Sequence, residues 1–418
     1  MVACVMTSRG LSFGLSRELW LIEAGILLNM LGYGAVLPFE VIYLHNGRGF
    51  GLGVAGLIVG ALTGIAVLAA PLAGPLIDRY GARLTAVGAG LALAVGYAGL
   101  AFAHTPAEAF AAAILAGAGN GGLNPSQSAL VATLTTADIR HRATAASRVA
   151  TNAGIGLGGA LGGLVAAFGL TGFVILFLAN AVTYVGYVCV LAAVVRDRAR
   201  PEPVKRGYRI VLGDRAFLHL AGVAIAMTAV GWGVFTWLLP PYARDVMGIG
   251  TSQIGLLLLA NAATVVIAQV PVATFAETRR RVDMIAIAAL LFVGACLLTA
   301  AADHSGAGYA ELVVAVVMVA VGECFFTTTL MPLVADLAPP ALRGRYMAAM
   351  SLCWWLGLAI APTLGLQLLG RSATAAFIVA AALAGAAGLS ALALNRRLPA
   401  SSRLTPRPQR SAESRPTA

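Results

Sequence analysis

Charge is what this sequence has least of. Asp, Glu, Lys and Arg make up 11% of its 418 residues, less than half of the roughly 25% usual in soluble domains. That shortage argues against a water-soluble protein, because too few charged side chains remain to solvate a surface of this size. Lysine is reduced to Lys205 alone. Cysteine is scarce, and Cys4, Cys189, Cys296, Cys324 and Cys353 stand at no metal-ligand or redox spacing. They read as small hydrophobes in helices, and no metal or cofactor is expected.

What is there instead is apolar sequence: 59% of the chain is hydrophobic. Runs of about 20 apolar residues, each enough for a hydrocarbon core of about 30 Å, recur along nearly the whole length. They predict spans near 20–44, 52–73, 84–104, 108–134, 143–168, 171–195, 216–242, 252–272, 284–302, 308–334, 345–368 and 373–395. Helices are expected, since each backbone polar group must find its partner inside its own segment. Connections such as GLTG at 169–172 are short and force antiparallel neighbours. The start, MVACVMTSRGLSFGLSRELW, lacks the separate apolar core of a cleavable signal and is expected to stay on the chain.

The net charge of +11 is unevenly placed. Of the 28 basic residues, only Arg48, Arg244 and Arg371 fall in one set of alternate loops. The rest occupy the other set and both tails. This bias predicts both termini in the cytoplasm. It points to a lipid bilayer and not to nucleic acid, which would draw the charge onto one face. The longest basic connection, 196–215, divides six spans from six. It predicts an N-terminal bundle over 1–195, a cytoplasmic linker over 196–215, a C-terminal bundle over 216–398 and a disordered tail over 399–418.

The two halves repeat each other. LVATLTTADIRHR at 130–142 aligns with LVADLAPPALRGR at 333–345, and the same offset of 203 pairs Gly154 with Gly357 and Gly162 with Gly365. An offset of 199 pairs Gly56 with Gly255 and Asp78 with Glu277. Twelve spans built as two related sixes predict a duplicated transporter architecture.

One charged turn interrupts this apolar sequence. GPLIDRYGAR, residues 74–83, follows the second span with the pattern Gly74-x-Leu76-x-Asp78-Arg79-x-Gly81-x-Arg83. Gly74 is expected to let a neighbouring helix approach closely, and Gly81 to supply a turn conformation costly for other residues. The pattern resembles the signature of the major facilitator superfamily, Gly-x-Leu-x-Asp-Arg-x-Gly-Arg-Lys, which joins helices two and three. Ala82 stands where the first basic residue after the second glycine would be. The resemblance implies the major facilitator fold: an all-α membrane protein of twelve transmembrane helices in two pseudo-symmetric six-helix bundles. It further implies that Asp78 faces the start of span eleven, near Arg343–Tyr346. The arginines would then hold inner-surface carboxylates or lipid phosphates, and the group would gate one of two states. GIGLGGALGG at 154–163 resembles the antiporter motif of drug/proton exporters in Gly154, Gly158, Gly162 and Gly163, with Gly159 in place of its proline.

Polar residues inside spans are costly and mark function by default. Glu323 lies mid-span in VMVAVGECFFTTTL. Its repeat partner is Asn120, which shares one helix face with Asn124 and Gln127; Thr327 extends the face of Glu323. On span one, Asn29, Tyr33 and Glu40 fall within about 40° at 100° per residue. Thr228, Trp232 and Thr236 form a stripe on span seven. By resemblance, helices one, four, seven and ten line a central cavity. Glu40 lies near the outer end, where simple contact with water and a proton-carrying role both stay open; Glu23, about one turn in, is expected in a structural or surface role, and Arg148 and Asn152 along the seam between bundles. Burial disfavours a charged carboxyl, so Glu323, with Glu40, is the expected proton carrier.

The combined expectation is a monomeric, multi-pass, proton-coupled exporter of lipophilic or weakly cationic small molecules in a bacterial cytoplasmic membrane. An importer or metabolite permease of the same fold stays open. A membrane-embedded enzyme is disfavoured. No nucleophile stands with its base, no acid cluster has metal spacing, and His45, His104 and His141 lie in loops. A non-transporting sensor would need a sizeable soluble domain.

Overall fold

The computed structural model describes residues 16–134, 140–194, 208–276, 279–339, 342–396 and 398. Among them are twelve long helices. The first six are α1 Arg17–Gly47, α2 Leu52–Tyr80, α3 Ala82–Phe102, α4 Pro106–Leu134, α5 Arg140–Ala166 and α6 Leu170–Val194. The second six are α7 Arg215–Asp245, α8 Thr251–Ala276, α9 Arg281–Ala301, α10 Gly308–Leu337, α11 Arg345–Leu369 and α12 Ala373–Leu394. Eleven are long and apolar enough to cross a bilayer. The exception is α4, whose middle carries Asn120, Asn124, Ser126, Gln127 and Ser128.

Every span expected from the apolar runs is present. Some edges differ: α2 continues to Tyr80, because its Arg79 stays helical. The connection expected over GLTG is tighter than its letters imply. Gly169 takes a positive φ of 67°, and α6 begins at Leu170.

The packing repeats as the sequence does. In the first half, α1 packs on α5 and α6, α2 on α4, and α3 on α4 and α6. In the second half, α7 packs on α11 and α12, α8 on α10, and α9 on α10 and α12. The offset of 199 also relates details. Tyr43 donates its hydroxyl proton to the carbonyl of Leu100 at 2.8 Å, and Tyr242 to that of Thr299 at 2.9 Å. Gly49 and Gly248 both take positive φ, 76° and 68°. Two bundles of one plan therefore face each other, in contact through α2 with α11 and through α5 with α8.

These cross-bundle contacts cluster at the end away from the chain termini. Gln367 Nε2 donates to the Gly53 carbonyl at 2.8 Å. Ser252 Oγ donates to the Gly163 carbonyl at 3.4 Å. Asn46 Nδ2 donates to Asp245 Oδ1 at 2.9 Å. Positions 46 and 245 are themselves related by the 199 offset, so this bond lies where equivalent residues meet, on the pseudo-two-fold axis. Farther along α2, a Cβ at Gly64 or Gly74 would meet nothing within 4 Å. Among the described residues, the bundles thus touch at the far end and part toward the end bearing the termini.

Small residues set the helix spacing. A Cβ at Gly154 would lie 2.6 Å from Met30 Cβ, and one at Gly162 would lie 2.8 Å from Ala35 Cα, so α5 presses its backbone onto α1. Gly159 and Gly163 turn the other way. A Cβ at Gly159 would lie 3.1 Å from Leu258 Cδ1, and one at Gly163 would lie 2.7 Å from the Thr251 carbonyl, both on α8. The glycine run of span five is a two-sided contact surface.

The charged turn keeps part of its expected role. Gly81 closes α2 at φ 85°, and its N–H bonds the Ile77 carbonyl at 2.8 Å. The expectation for Gly74 is corrected: it faces open space, and no helix approaches it. Among the described residues, Arg79 and Arg83 hold no carboxylate either. Arg83 donates to the Ala192 carbonyl at the end of α6, and Arg79 lies 5.2 Å from the Tyr80 ring centroid. The side chains of Asp78 and Arg343, with Glu277, lie outside the described residues. So do 196–207 of the expected linker and the tail over 399–418. Asp214 caps α7, accepting from Ala216 N and Phe217 N, and its Oδ2 accepts from Tyr346 O–H at 2.9 Å on α11.

Arg281 is the largest polar side chain in the interior, 1% exposed, and donates to Asp336 Oδ2 at 2.5 Å. Taking one partner from a buried pair leaves an uncompensated charge, at a cost of about 3–5 kcal/mol. Asp336 is itself partly exposed, so the lower figure applies. Asp336→Asn is expected to destabilise the C-terminal bundle by roughly 3 kcal/mol, read as a lowered melting temperature of the protein in detergent.

Candidate functional site

A cavity of 160 Å³ lies between the bundles, just inside the closed far end. From the first half, Gly34, Leu37 and Pro38 of α1 and Asn152 and Ile155 of α5 line it. From the second, α7 gives Gly231, Trp232, Phe235, Thr236, Leu239 and Pro240. Helix α8 supplies Ile254, Leu257, Leu258, Asn261, Ala262 and Val265, and α10 supplies Val316 and Glu323. Among the described residues, Glu323 is the only ionisable side chain in this lining.

Local sequence explains how these groups reach the cavity. Pro38 stands at the start of a 3-10 turn, Leu37–Phe39, that breaks α1 and turns its last segment. Its counterpart α7 widens into a π-helical stretch over Ala229–Leu238. Such π-helical stretches are rare and recur at functional sites. Here the stretch delivers Trp232, Phe235 and Thr236 to one wall. Trp232 sits in an aromatic cluster, with centroid distances of 4.4 Å to Trp354, 6.0 Å to Phe326 and 6.4 Å to Phe292. The wall opposite is aliphatic apart from Asn152 and Asn261. Asn261 faces the Glu323 carboxyl and donates to the Val316 carbonyl at 3.4 Å.

The structure brings together Trp232, Thr236 and Glu323 of the residues singled out in the sequence. Others lie elsewhere. Thr327 donates its hydroxyl to the Glu323 carbonyl at 2.8 Å, one turn along α10. Asn120 is buried, Gln127 half-buried and Asn124 exposed on α4, and none of the three borders the cavity. Tyr33 is half-buried and does not border it either. Those cavity expectations are corrected, and so are two more. Asn29 is fully buried within the first bundle beside Tyr184. Thr228 is fully buried where α7 meets α11, and a Cβ at Gly357 would lie 2.9 Å from its Cβ. Even helical spacing placed both on a polar stripe, yet a span in a bundle has two buried sides, and only one faces the cavity.

Of the two readings of Glu40, contact with water is removed, since it is 3% exposed. Its Oε1 accepts from Tyr97 O–H at 3.1 Å on α3, and its Oε2 accepts from Trp237 Nε1–H at 3.2 Å on α7. The 3-10 turn before it makes the 100° arithmetic fail past Pro38. Glu23 accepts from Ser147 Oγ at 2.6 Å and ties α1 to α5. Asn152, expected along the seam, borders the cavity, and Asn261 joins it with no expectation behind it. The signal for Asn261 is a lone amide in LLLLANAAT, an otherwise apolar run.

A largely apolar chamber with one carboxyl in its described lining, set between two bundles that close at one end and part at the other, has the layout of a transporter's substrate cavity. The sequence model of the Major Facilitator Superfamily matches residues 23–251 and 221–417. The chain belongs to that superfamily and is a multi-pass membrane transporter. It is 27% identical over 349 residues to the multidrug resistance protein MdtH of Aeromonas hydrophila, covering 78% of this chain and 81% of that one. It is 25% identical over 356 residues to the uncharacterized MFS-type transporter YqjV of Bacillus subtilis, covering 83% and 85%. Among solved structures, a peptide transporter POT in complex with sulfate superposes with a TM-score of 0.73 at 21% identity, over 93% of this chain and 96% of that one. A D-xylose-proton symporter superposes with a TM-score of 0.73 at 16% identity, over 91% and 98%. At such identities these two speak for the fold alone.

Proposed function

We propose that this transporter exports lipophilic, weakly cationic small molecules in exchange for protons. The observation that carries the reading is the cavity lining: one carboxyl, Glu323, among aromatic and aliphatic walls. A lipophilic body gains from leaving water at roughly 25 cal/mol per Å² of apolar surface, and the indole face of Trp232 attracts a cation. The same carboxyl serves as proton site and cation partner, so substrate and proton compete for it. Competition at one site makes two flows an exchange. Glu40 is the second proposed proton site, with the amides of α4 along the path. The name of the Aeromonas relative supports the exporter reading, and the positive-inside bias supports termini in the cytoplasm of a bacterial cell. On this reading the structure is closed to the outside, and the chain works as a monomer, each copy holding a complete cavity.

Gly159, in place of the proline of the antiporter motif, favours keeping an importer as the second reading. Vesicle orientation separates the two. Inside-out vesicles carrying the protein are expected to accumulate a fluorescent lipophilic cation when the lumen is acidified, and to lose it on adding an uncoupler. Uptake in right-side-out vesicles driven by an inward proton gradient, with none in inside-out ones, refutes export.

A further inference from the structure

Glu40 and Trp237 form a bond that the transport cycle has to break. Glu40 belongs to the first bundle and Trp237 to the second, and both lie on the side of the cavity where the far end is shut. Both are buried, at 3% exposure each. No sequence pattern pairs them. The titratable groups around the carboxyl are phenols: Tyr33 on α1, Tyr97 on α3 and Tyr184 on α6. The facing part of α2, 52–66, carries no ionisable side chain. Arg244 and Asp245 stand beyond it at the end of α7, where Asp245 holds Asn46. No cation is within ion-pair distance of Glu40 among the described residues.

The two donors differ in a way that matters. A phenol donates or accepts, so Tyr97 can turn its O–H and accommodate a proton on Oε1. An indole N–H only donates. Trp237 therefore keeps a strong bond only to an acceptor oxygen, and strongest to an ionised one, since charge-assisted bonds are about twice as strong as neutral ones. We infer that Trp237 and the ionised Glu40 carboxylate form a latch across the seam that holds the far end shut in the unloaded carrier, and that protonation releases it. The inference rests on the alternating-access reading above and adds a role to it. A deprotonated, empty protein is locked with its cavity open toward the termini, so it cannot return unloaded and dissipate the proton gradient. Trp237 is a positioning residue here, acting on the gate through Glu40.

The test reads the far end directly and uses no substrate. In a full-length variant with its five cysteines replaced, Ser252→Cys reports on the closed α5–α8 contact, and Ser305→Cys, in an exposed loop, serves as reference. The ratio of their labelling rates by an impermeant maleimide cancels thiol ionisation. Between about pH 8.5 and pH 5.5 the ratio is expected to rise about tenfold, the change for a bond weakened by one charge-assisted increment. Glu40→Gln, permanently neutral, is expected to give the high ratio at both pH values. Trp237→Phe is expected to raise the ratio at high pH and flatten the profile. Tyr97→Phe, whose lost bond lies within one bundle, is expected to keep the pH response. A parent profile without the rise, or an undiminished rise in Glu40→Gln or Trp237→Phe, overturns the latch. If Glu40→Gln does not fold, Trp237→Phe decides alone. Because no substrate is present, failure here leaves export to be decided by the vesicle assay.

Discussion

Replacing Glu323 by Gln is expected to abolish drug-driven proton movement in vesicles, a loss of at least about a hundredfold, as is usual when a side chain that carries the proton is removed. The change keeps shape and hydrogen-bonding capacity while removing titration. An ionisable group at this depth costs about 2.5–3.5 kcal/mol on insertion scales, and Glu323 lines a chamber with no other ionisable side chain among the described residues. Without it, the chamber still accepts an apolar ligand on Trp232 and Phe235. The expected signature is therefore retained dye binding with coupling lost. Glu323→Asp, shorter but titratable, is expected to keep a measurable fraction of coupling. Glu23→Gln, whose partner Ser147 lies on a neighbouring helix away from the cavity, is expected to leave coupling intact.

The second large effect falls on folding. Gly162→Leu drives a side chain into the backbone of α1, where even a Cβ would lie 2.8 Å from Ala35 Cα and 2.9 Å from its carbonyl carbon. Backbone cannot yield as a flexible side chain does. Overpacking typically costs about 1–3 kcal/mol and more when backbone must move; here about 4 kcal/mol or more is expected, within the exceptional range for single substitutions. The variant is expected to be lost from the membrane fraction or to melt far below the parent in detergent. Gly74→Ala is the paired control. A Cβ there meets nothing, and alanine in a helix is worth about 0.5–1 kcal/mol over glycine, so its melting temperature is expected to be unchanged or raised.

The fold was legible because the bilayer makes composition informative. Long uncharged runs fit little besides a bilayer crossing, and the charge bias orders them. The duplication was legible in short matched segments, and the structure extends it to Tyr43 with Tyr242 and Gly49 with Gly248, pairs at the same offset that lie in loops and helix ends too divergent to align by eye. The site was legible only in part. Glu323, Trp232 and Thr236 stand out as polar or aromatic residues at helical spacing; α10 is regular around Glu323, while Trp232 and Thr236 share the π-helical stretch of α7 that begins just after Thr228. Past Pro38 the regular helix ends, so the direction of Glu40 was beyond wheel arithmetic. Its partner Trp237 carries no mark in the sequence, since a donor-only indole shows its role only when an acceptor from the other bundle is seen against it. Asn29 and Thr228 show the converse: a polar side chain in a span satisfies its own bundle as readily as it lines a cavity. Gly74 shows that a glycine in a recognisable pattern need not be there for packing in the state observed.

Transport as proposed requires the far ends of the two bundles to separate. Asn46 and Asp245 meet there at 2.9 Å, on the pseudo-two-fold axis. With Asn46→Cys and Asp245→Cys in the cysteine-replaced protein, a short cleavable bis-thiol cross-linker joins the halves at that point. Quantitative cross-linking at rest is predicted, with complete arrest of transport while the link is intact and full recovery once it is cleaved. Undiminished transport by quantitatively cross-linked protein would contradict alternating access through this seam.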